Sequence, residues 1–397
     1  MKKINLLIEL NSFDKGGLEK VVLDSALLFN KEKINVFIVS VKNTGLLASV
    51  AKSKGIIVYS LDRFKIPIIK YLYLVYIIFK NNISVSCSHF SYFGYWVYKI
   101  LGIKNVTFIH NVYAFLDQKR IKQIKFYDKM VDTYISVSKN ATRYAVEKLG
   151  LNSSKIITVP NGLIIEEHEN RKKNIKKIKR SDFEIEENDY VFLNVASYNL
   201  HKGHYLMADA MIKILKERKD IKILCIGNTI VDSHVNQYRQ YLKEKGLEKN
   251  IIMPGHFPNI ESFYDISDAF ILPSFIEGWS IAMNEAMFYE KPMILTNTGG
   301  SNEVIKNNDI GILIENEFGD IINLDSKILD NIGYNKRNFL TSKPLADSMI
   351  QFANNRDYWK EAGKLGKKKI IEKYNLKNIV LKYEDIIINL LDKNNDF

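Results

Sequence analysis

The stretch from Pro273 to Glu303, PSFIEGWSIAMNEAMFYEKPMILTNTGGSNE, constrains the rest of the chain most. Just before it, Asp268 to Leu272 reads as a short buried strand. After Gly278 the spacing of Ile281, Ala282, Ala286 and Met287 is helical, and Lys291-Pro292 closes that helix. Met293 to Thr296 reads as a second strand and runs into Gly299-Gly300, so the whole is a βαβ unit with acids at one end. Were Glu277 and Glu285 inside one helix, they would point about 80° apart and sit about 12 Å apart along the axis. If instead Glu277 precedes the helix and Glu285 lies two turns in, the two acids bracket a helix N-terminus. Free N–H groups and a positive partial charge at that end suit a phosphate or diphosphate, and carboxylates accept sugar hydroxyls well.

Two glutamates near a helix are, on their own, more often surface charges. The surrounding string carries more weight. PS-x-x-EG, then EAM, then KP, then GG-x-x-E resembles the donor-site pattern of retaining GT-B glycosyltransferases of family 4. The resemblance implies an α/β fold of two Rossmann-like, doubly wound parallel-sheet domains facing a cleft, with a C-terminal helix crossing back to the N-terminal domain. It also implies a hexose-type sugar moved, with retained anomeric configuration, from a nucleotide diphosphate-sugar to a glycan or lipid-linked acceptor. UDP is the default base by family frequency. The setting implied is bacterial surface-polysaccharide synthesis, such as capsule, O-antigen or lipopolysaccharide.

At 397 residues the chain exceeds one ordinary core, and 46% hydrophobic with 26% charged residues describes a globular protein. Cys87 and Cys225 fall in separate apolar strand-like segments, which fits buried reduced thiols in a cytoplasmic protein. The start, MKKINLLIELNSF, reads as a first strand rather than a signal peptide, and the longest apolar run, Ile66 to Phe79, is too short to span a bilayer. A net charge of +12 can attract nucleic acid, an anionic membrane or an anionic substrate, yet no nucleic-acid motif accompanies it.

Strands and helices alternate along the chain, which implies mostly parallel sheets with ligands beyond the strand C-terminal ends. The expected domains are 1–170 for the acceptor, 171–375 for the donor, and 376–397 as the returning helix. Gly16-Gly17 and Glu19 follow the first strand; in the resembled family this loop lies beside the donor phosphates and the acceptor. His110 stands after the strand Asn105 to Ile109. The family places a histidine there, close to the transferred sugar, where it would orient a hydroxyl or support developing charge.

Core packing is the first explanation for the aromatic stretches Phe64–Phe79 and Phe90–Trp96. The alternative is that exposed aromatics and lysines rest on the inner face of the plasma membrane. Arg171 to Arg180, with seven basic residues in ten, reads as a solvated linker, with an anionic-lipid patch as the alternative.

In the second series, Lys202-Gly203 opens a helix expected to reach Glu217, where a lysine supplements the helix dipole at a diphosphate. The family pattern there is Gly-Arg-x-x-x-x-Lys-Gly. This chain keeps Lys202 but has Ala196-Ser197 in place of Gly-Arg, which weakens the anion site unless His201 or His204 compensates. Gly255 matches a segment whose backbone lies near the nucleotide base.

The resemblance assigns donor-sugar hydroxyls to Glu277, the ribose to Glu285, and phosphate to backbone N–H groups of Gly278, Trp279 and Ser280. No D-x-D pair or Cys/His metal spacing is present, so no metal or other cofactor is expected, and the departing diphosphate falls to Lys202 and the helix N-termini. Same-face attack, with the leaving phosphate taking the acceptor's proton, is the expected mechanism. A nucleotide-sugar epimerase or hydrolase fits the EG-x6-EAM string poorly. An inactive or weak partner subunit stays open because of Ser197. A nicotinamide dehydrogenase would need a G-x-G-x-x-G after a strand.

Overall fold

A computed structural model describes residues 3–14, 16–174, 176–334 and 339–392. The described chain divides into two compact units: 1–113, 117–162 and 376–397 form the first, and 114–116 with 163–375 the second.

The first unit is built on seven parallel strands: β1 (Ile4–Ser12), β2 (Ile34–Asn43), β3 (Ile57–Ser60), β4 (Val85–His89), β5 (Lys104–Ile109), β6 (Thr133–Ser136) and β7 (Ile156–Thr158). Their order is β3-β2-β1-β4-β5-β6-β7, so the winding reverses between β1 and β4. Such strands bury both faces, which is why β1 reads as a largely apolar run, while β4, VSCSH, is fully buried with Ser86, Ser88 and His89 in it. Local chemistry sets the helix starts. Ser138 accepts from the Ala141 N–H, Asp117 accepts from the Arg120 N–H, and Pro67 occupies the first turn of the helix Pro67–Lys80. The helix Leu376–Asp392 belongs to this unit, where the buried Glu384 accepts from the Asn30 N–H at 2.6 Å and the Tyr383 ring meets the Phe108 ring edge-on.

Six parallel strands form the second sheet: β8 (Tyr190–Val195), β9 (Ile221–Ile226), β10 (Ile251–Gly255), β11 (Ala269–Leu272), β12 (Met293–Thr296) and β13 (Gly311–Ile314). The order β10-β9-β8-β11-β12-β13 puts its reversal between β8 and β11.

Three details differ from the expectations. The segment 163–170 falls with the second unit, because the Leu163 N–H donates to the Tyr374 carbonyl at 2.9 Å and His168 packs on Phe288. The helix opened by Gly203 spans His204–Ile214 and stops short of Glu217. The basic run is more than a solvated linker: Arg171 pairs with Glu261 at 3.0 Å, and Arg180 binds the Ile266, Glu187 and Asp189 carbonyls and the Asp268 carboxylate, while the lysines between them stay exposed.

Glu9, in the middle of β1, is fully buried. Its carboxyl accepts from the Ser91 hydroxyl at 2.6 Å, the Phe93 N–H at 3.1 Å, the Gly94 N–H at 2.9 Å and the Tyr98 hydroxyl at 2.7 Å. It thereby straps the loop after β4, in which Phe90 holds a positive φ of 53°. A Cβ on Gly94 would lie 2.4 Å from a Glu9 oxygen, so only glycine fits there. Burial raises the Glu9 pKa, opposed by these four hydrogen bonds. Replacing Glu9 by Leu removes the acceptor for two backbone N–H groups and a buried tyrosine hydroxyl. Each orphaned group costs about 1–3 kcal/mol, so E9L should lose at least about 3 kcal/mol in urea unfolding, with E9Q intermediate. A loss below about 0.5 kcal/mol, the range of ordinary surface changes, would show that the strap contributes little.

Candidate functional site

Ligands of open parallel sheets bind beyond the strand C-terminal ends where the winding reverses. In the second unit that point lies between β8 and β11, and the residues of the Pro273–Glu303 stretch emerge there. After β8, Asn199 caps the short 3₁₀ turn Leu200–Lys202 by accepting from the His201 N–H at 2.7 Å. Gly203 follows with φ +74°, and a Cβ on it would lie 2.1 Å from the Pro273 carbonyl oxygen. The Phe275 N–H donates to the His201 carbonyl at 2.8 Å, so the loops after β8 and β11 are laced together by backbone.

This lacing brings Lys202 and Glu277 into contact: Nζ lies 2.6 Å from Oε1. The Ser274 hydroxyl donates to the same oxygen at 2.9 Å. Both charged side chains are largely covered, at 21% and 14% exposure. Sequence reasoning gave the lysine to phosphate and the glutamate to sugar hydroxyls without foreseeing that they pair. No spacing rule links positions so far apart in the chain.

The loop after β12 closes against the same residues. Gly299 has φ +54°, and a Cβ there would lie 2.4 Å from the Gly278 carbonyl oxygen, while one on Gly300 would enter the Trp279 ring. Trp279 is buried; its indole N–H donates to Asn284 at 3.0 Å and its ring packs on Tyr374. That side chain is committed to the core, which leaves only backbone for a ligand. Ser280 is the N-cap of the helix Ile281–Phe288 and accepts from the Met283 N–H at 3.3 Å. Glu277 precedes this helix. Glu285 is its fifth residue, one turn and a third in at 3.6 residues per turn rather than two turns. The buried Tyr264 lies beside Glu285; burial and then that carboxylate push its phenol pKa well up. Gly255, with φ +104°, ends β10, two strands away from β8.

His201 is half-buried, its pKa lowered by burial and then by Lys202. His204 cannot replace the missing arginine. It is buried against Tyr198 and Tyr238, and burial holds its pKa down at about 4, so it carries no charge near neutrality.

In the first unit the reversal lies between β1 and β4. Gly16 and Gly17 are exposed at the start of the helix Gly17–Leu28. Gly16 has an extended backbone that any residue adopts, but a Cβ there would lie 2.1 Å from the Glu19 carboxylate, which folds back over it. Burial, with a smaller contribution from Asp14, raises the Glu19 pKa. His110 follows β5, and its Nε2 lies 2.8 Å from Nδ1 of His89 at the end of β4. The two imidazoles stack on each other and on Phe108. Burial holds His110 down at about 4, and burial with its neighbour holds His89 well below the usual range. His89 escaped sequence reasoning; its position at the end of the strand beside the reversal point was the available signal. Among the described residues no group of three or more His, Cys, Asp or Glu side chains is placed to hold a metal ion.

Comparison with known proteins extends over most of the chain. The model for glycosyl transferases group 1 matches residues 175–338, and that for glycosyltransferase family 4 matches residues 15–167. An Escherichia coli relative, the UDP-Gal:alpha-D-GlcNAc-diphosphoundecaprenol alpha-1,3-galactosyltransferase, is 25% identical over 60% of this chain and 65% of its own length. The Staphylococcus aureus capsular polysaccharide biosynthesis glycosyltransferase CapH is 27% identical over 73% of this chain and 81% of its own. Anabaena Alr3699/HepE, solved in complex with UDP-glucose, superposes with a TM-score of 0.79 over 97% of this chain and 100% of that one, at 13% identity. With two parallel sheets of the GT-B type and family matches running through both units, the chain belongs to the group 1 glycosyltransferases.

Proposed function

We propose that this glycosyltransferase moves a hexose-type sugar from a nucleoside diphosphate-sugar, UDP-linked by default, to a glycan or lipid-linked acceptor in bacterial surface-polysaccharide synthesis. The observation that carries the reading is the Lys202–Glu277 pair beside the capped start of the helix Ile281–Phe288, at the reversal of the second sheet. The named activities of the capsule and galactosyl relatives support the setting and the UDP-sugar donor.

In this reading Lys202 meets the departing diphosphate, helped by the N–H groups of Gly278, Trp279 and Ser280 and by the helix dipole. Glu277 binds sugar hydroxyls, and its pairing fixes the ammonium in place before the donor arrives. Glu285 accepts from the ribose hydroxyls, and the backbone at Gly255 approaches the base. Donor cleavage needs no metal here, because the ammonium and the helix terminus supply the positive charge. The acceptor hydroxyl attacks from the face the leaving group departs, the new C–O bond forming as the C–O bond to phosphate breaks. The hydroxyl proton passes to a phosphate oxygen, and the anomeric configuration is retained. Gly16, Gly17 and Glu19 serve the acceptor side, and neutral His110 orients a hydroxyl.

The competing reading is a partner subunit of weak or absent turnover, and Ser197 in place of arginine favours it. Release of UDP from UDP-sugars by the purified chain, with a purified acceptor, separates the two. A screen of UDP-, GDP- and ADP-sugars by thermal shift identifies the donor.

Removing the ribose acceptor in E285A should weaken nucleotide binding by roughly 10–100-fold, the loss of a charge-assisted hydrogen bond or two. E277A should instead lower kcat by roughly 100-fold with a smaller change in affinity. Calorimetry with UDP and steady-state transfer rates check both, and equal, negligible effects reject the assignment.

Because burial holds His110 near 4, the imidazole is neutral above that pH and becomes imidazolium only below it. The acid limb of kcat/KM should therefore show no step near 6.5, the ordinary histidine value. H89A, which opens the packing to water, should move a step upward toward 6.5. A wild-type step near 6.5 that H110Q abolishes would mean that the working histidine is solvated.

A further inference from the structure

We propose that the first unit docks on an anionic lipid bilayer through the outer face of the helix Pro67–Lys80 and the neighbouring edge that carries Trp96, Ile100 and Phe126. The helix is apolar on two opposite sides. Leu74, Ile77 and Ile78 face the core and are buried. Ile68, Leu72, Tyr76 and Phe79 are spaced four, four and three residues apart, which gathers them within about 80° of arc on the other side. They stand in solvent, with Leu72 at 63% and Phe79 at 65% exposure. The stripe continues onto the next elements. Tyr71 stacks on Phe93 at 4.3 Å, just before the helix Tyr95–Leu101, and Trp96 of that helix meets Phe126 of the helix Gln118–Tyr127 at 6.0 Å. Ile100 is 77% exposed. Contiguous exposed apolar area of this kind marks an interaction surface.

The charge pattern names the occupant. From Arg63 through Leu116 the chain has no Asp or Glu at all, and the helix Gln118–Tyr127 has none either. That helix instead exposes Lys119, Arg120, Lys122 and Lys125. The Arg63 guanidinium lies over Tyr73 beside the middle of the helix and the Lys80 ammonium over Tyr76 towards its C-terminal end, so cations flank the apolar stripe. A self-association through this face would set each patch against its own copy and bring cation onto cation, with only Asp62 and Asp117 exposed at its borders to oppose them. A bilayer with anionic headgroups accepts both components, with apolar side chains entering below the headgroup level and lysines meeting phosphates. No helix among the described residues is long and apolar enough to cross a membrane, so contact here is with the surface.

Sedimentation of the full chain with vesicles of phosphatidylglycerol and phosphatidylcholine, and with phosphatidylcholine alone, tests this. Binding is expected on the anionic vesicles at low salt, with a loss at high salt and on the neutral ones. The double variant L72E/F79E should reduce the partition coefficient by at least roughly tenfold while its thermal midpoint stays that of the wild type. K119E/K122E should remove most of the salt-sensitive part and leave folding intact. Three outcomes overturn the proposal: absence of binding to anionic vesicles at low salt, binding that L72E/F79E leaves unchanged, or a wild-type dimer in light scattering that L72E/F79E turns into a monomer. UDP release measured without vesicles reports separately on the donor-site reading, which this proposal does not require.

Discussion

Three loops of the second unit meet at distances that admit no side chain at the contact. Gly203 lies against the Pro273 carbonyl, Gly299 against that of Gly278, and Gly300 against the Trp279 ring. Two of these glycines also hold positive φ values that other residues rarely adopt. Everything else at this point follows from that approach. Only with backbone on backbone can Lys202, carried by the loop after β8, reach a carboxylate carried by the loop after β11. Ser274 and Asn316 then tie the same loops, Ser274 to Glu277 and Asn316 to the Phe275 carbonyl. The site is therefore rigid before any ligand enters, which is the condition for an electrostatic site to act without reorganising.

Rigidity also explains the economy of side chains. Trp279 and Ser280 sit at the N-terminus of the helix Ile281–Phe288, yet the indole is spent on Asn284 and Tyr374 and the hydroxyl on capping. What these two residues can offer a ligand is main chain. The proposed chemistry of N–H groups and one ammonium asks little of residue identity beyond glycine, and the solved neighbours of this fold share only 11–20% identity with this chain.

The alternating apolar runs and turn residues made the two parallel sheets legible from sequence, because strands buried on both faces leave nearly unbroken hydrophobic segments. Glycines and acids around Pro273–Glu303 likewise marked the site, since their spacing reports a loop followed by a helix. Contacts between distant parts of the chain left no such trace. The Lys202–Glu277 pair, the His89–His110 contact and the Glu9 strap each join residues on different strands or loops. Which residues of Pro67–Lys80 point outward was left open for a related reason: a helix apolar on both sides has no hydrophobic direction, so core packing came first and an exposed face only as the alternative. Arg171 and Arg180 looked like solvated charge because their partners, Glu261 and Asp268, come much later in the chain.

The contact between Nε2 of His110 and Nδ1 of His89 has one more consequence. A single proton occupies that bridge, and burial keeps both rings uncharged at neutral pH. When His89 supplies the bridging proton, the proton of His110 sits on Nδ1, which then donates. With His110 supplying it, Nδ1 is a bare lone pair and accepts. Tautomer exchange across the pair thus inverts the polarity His110 presents while every heavy atom stays in place.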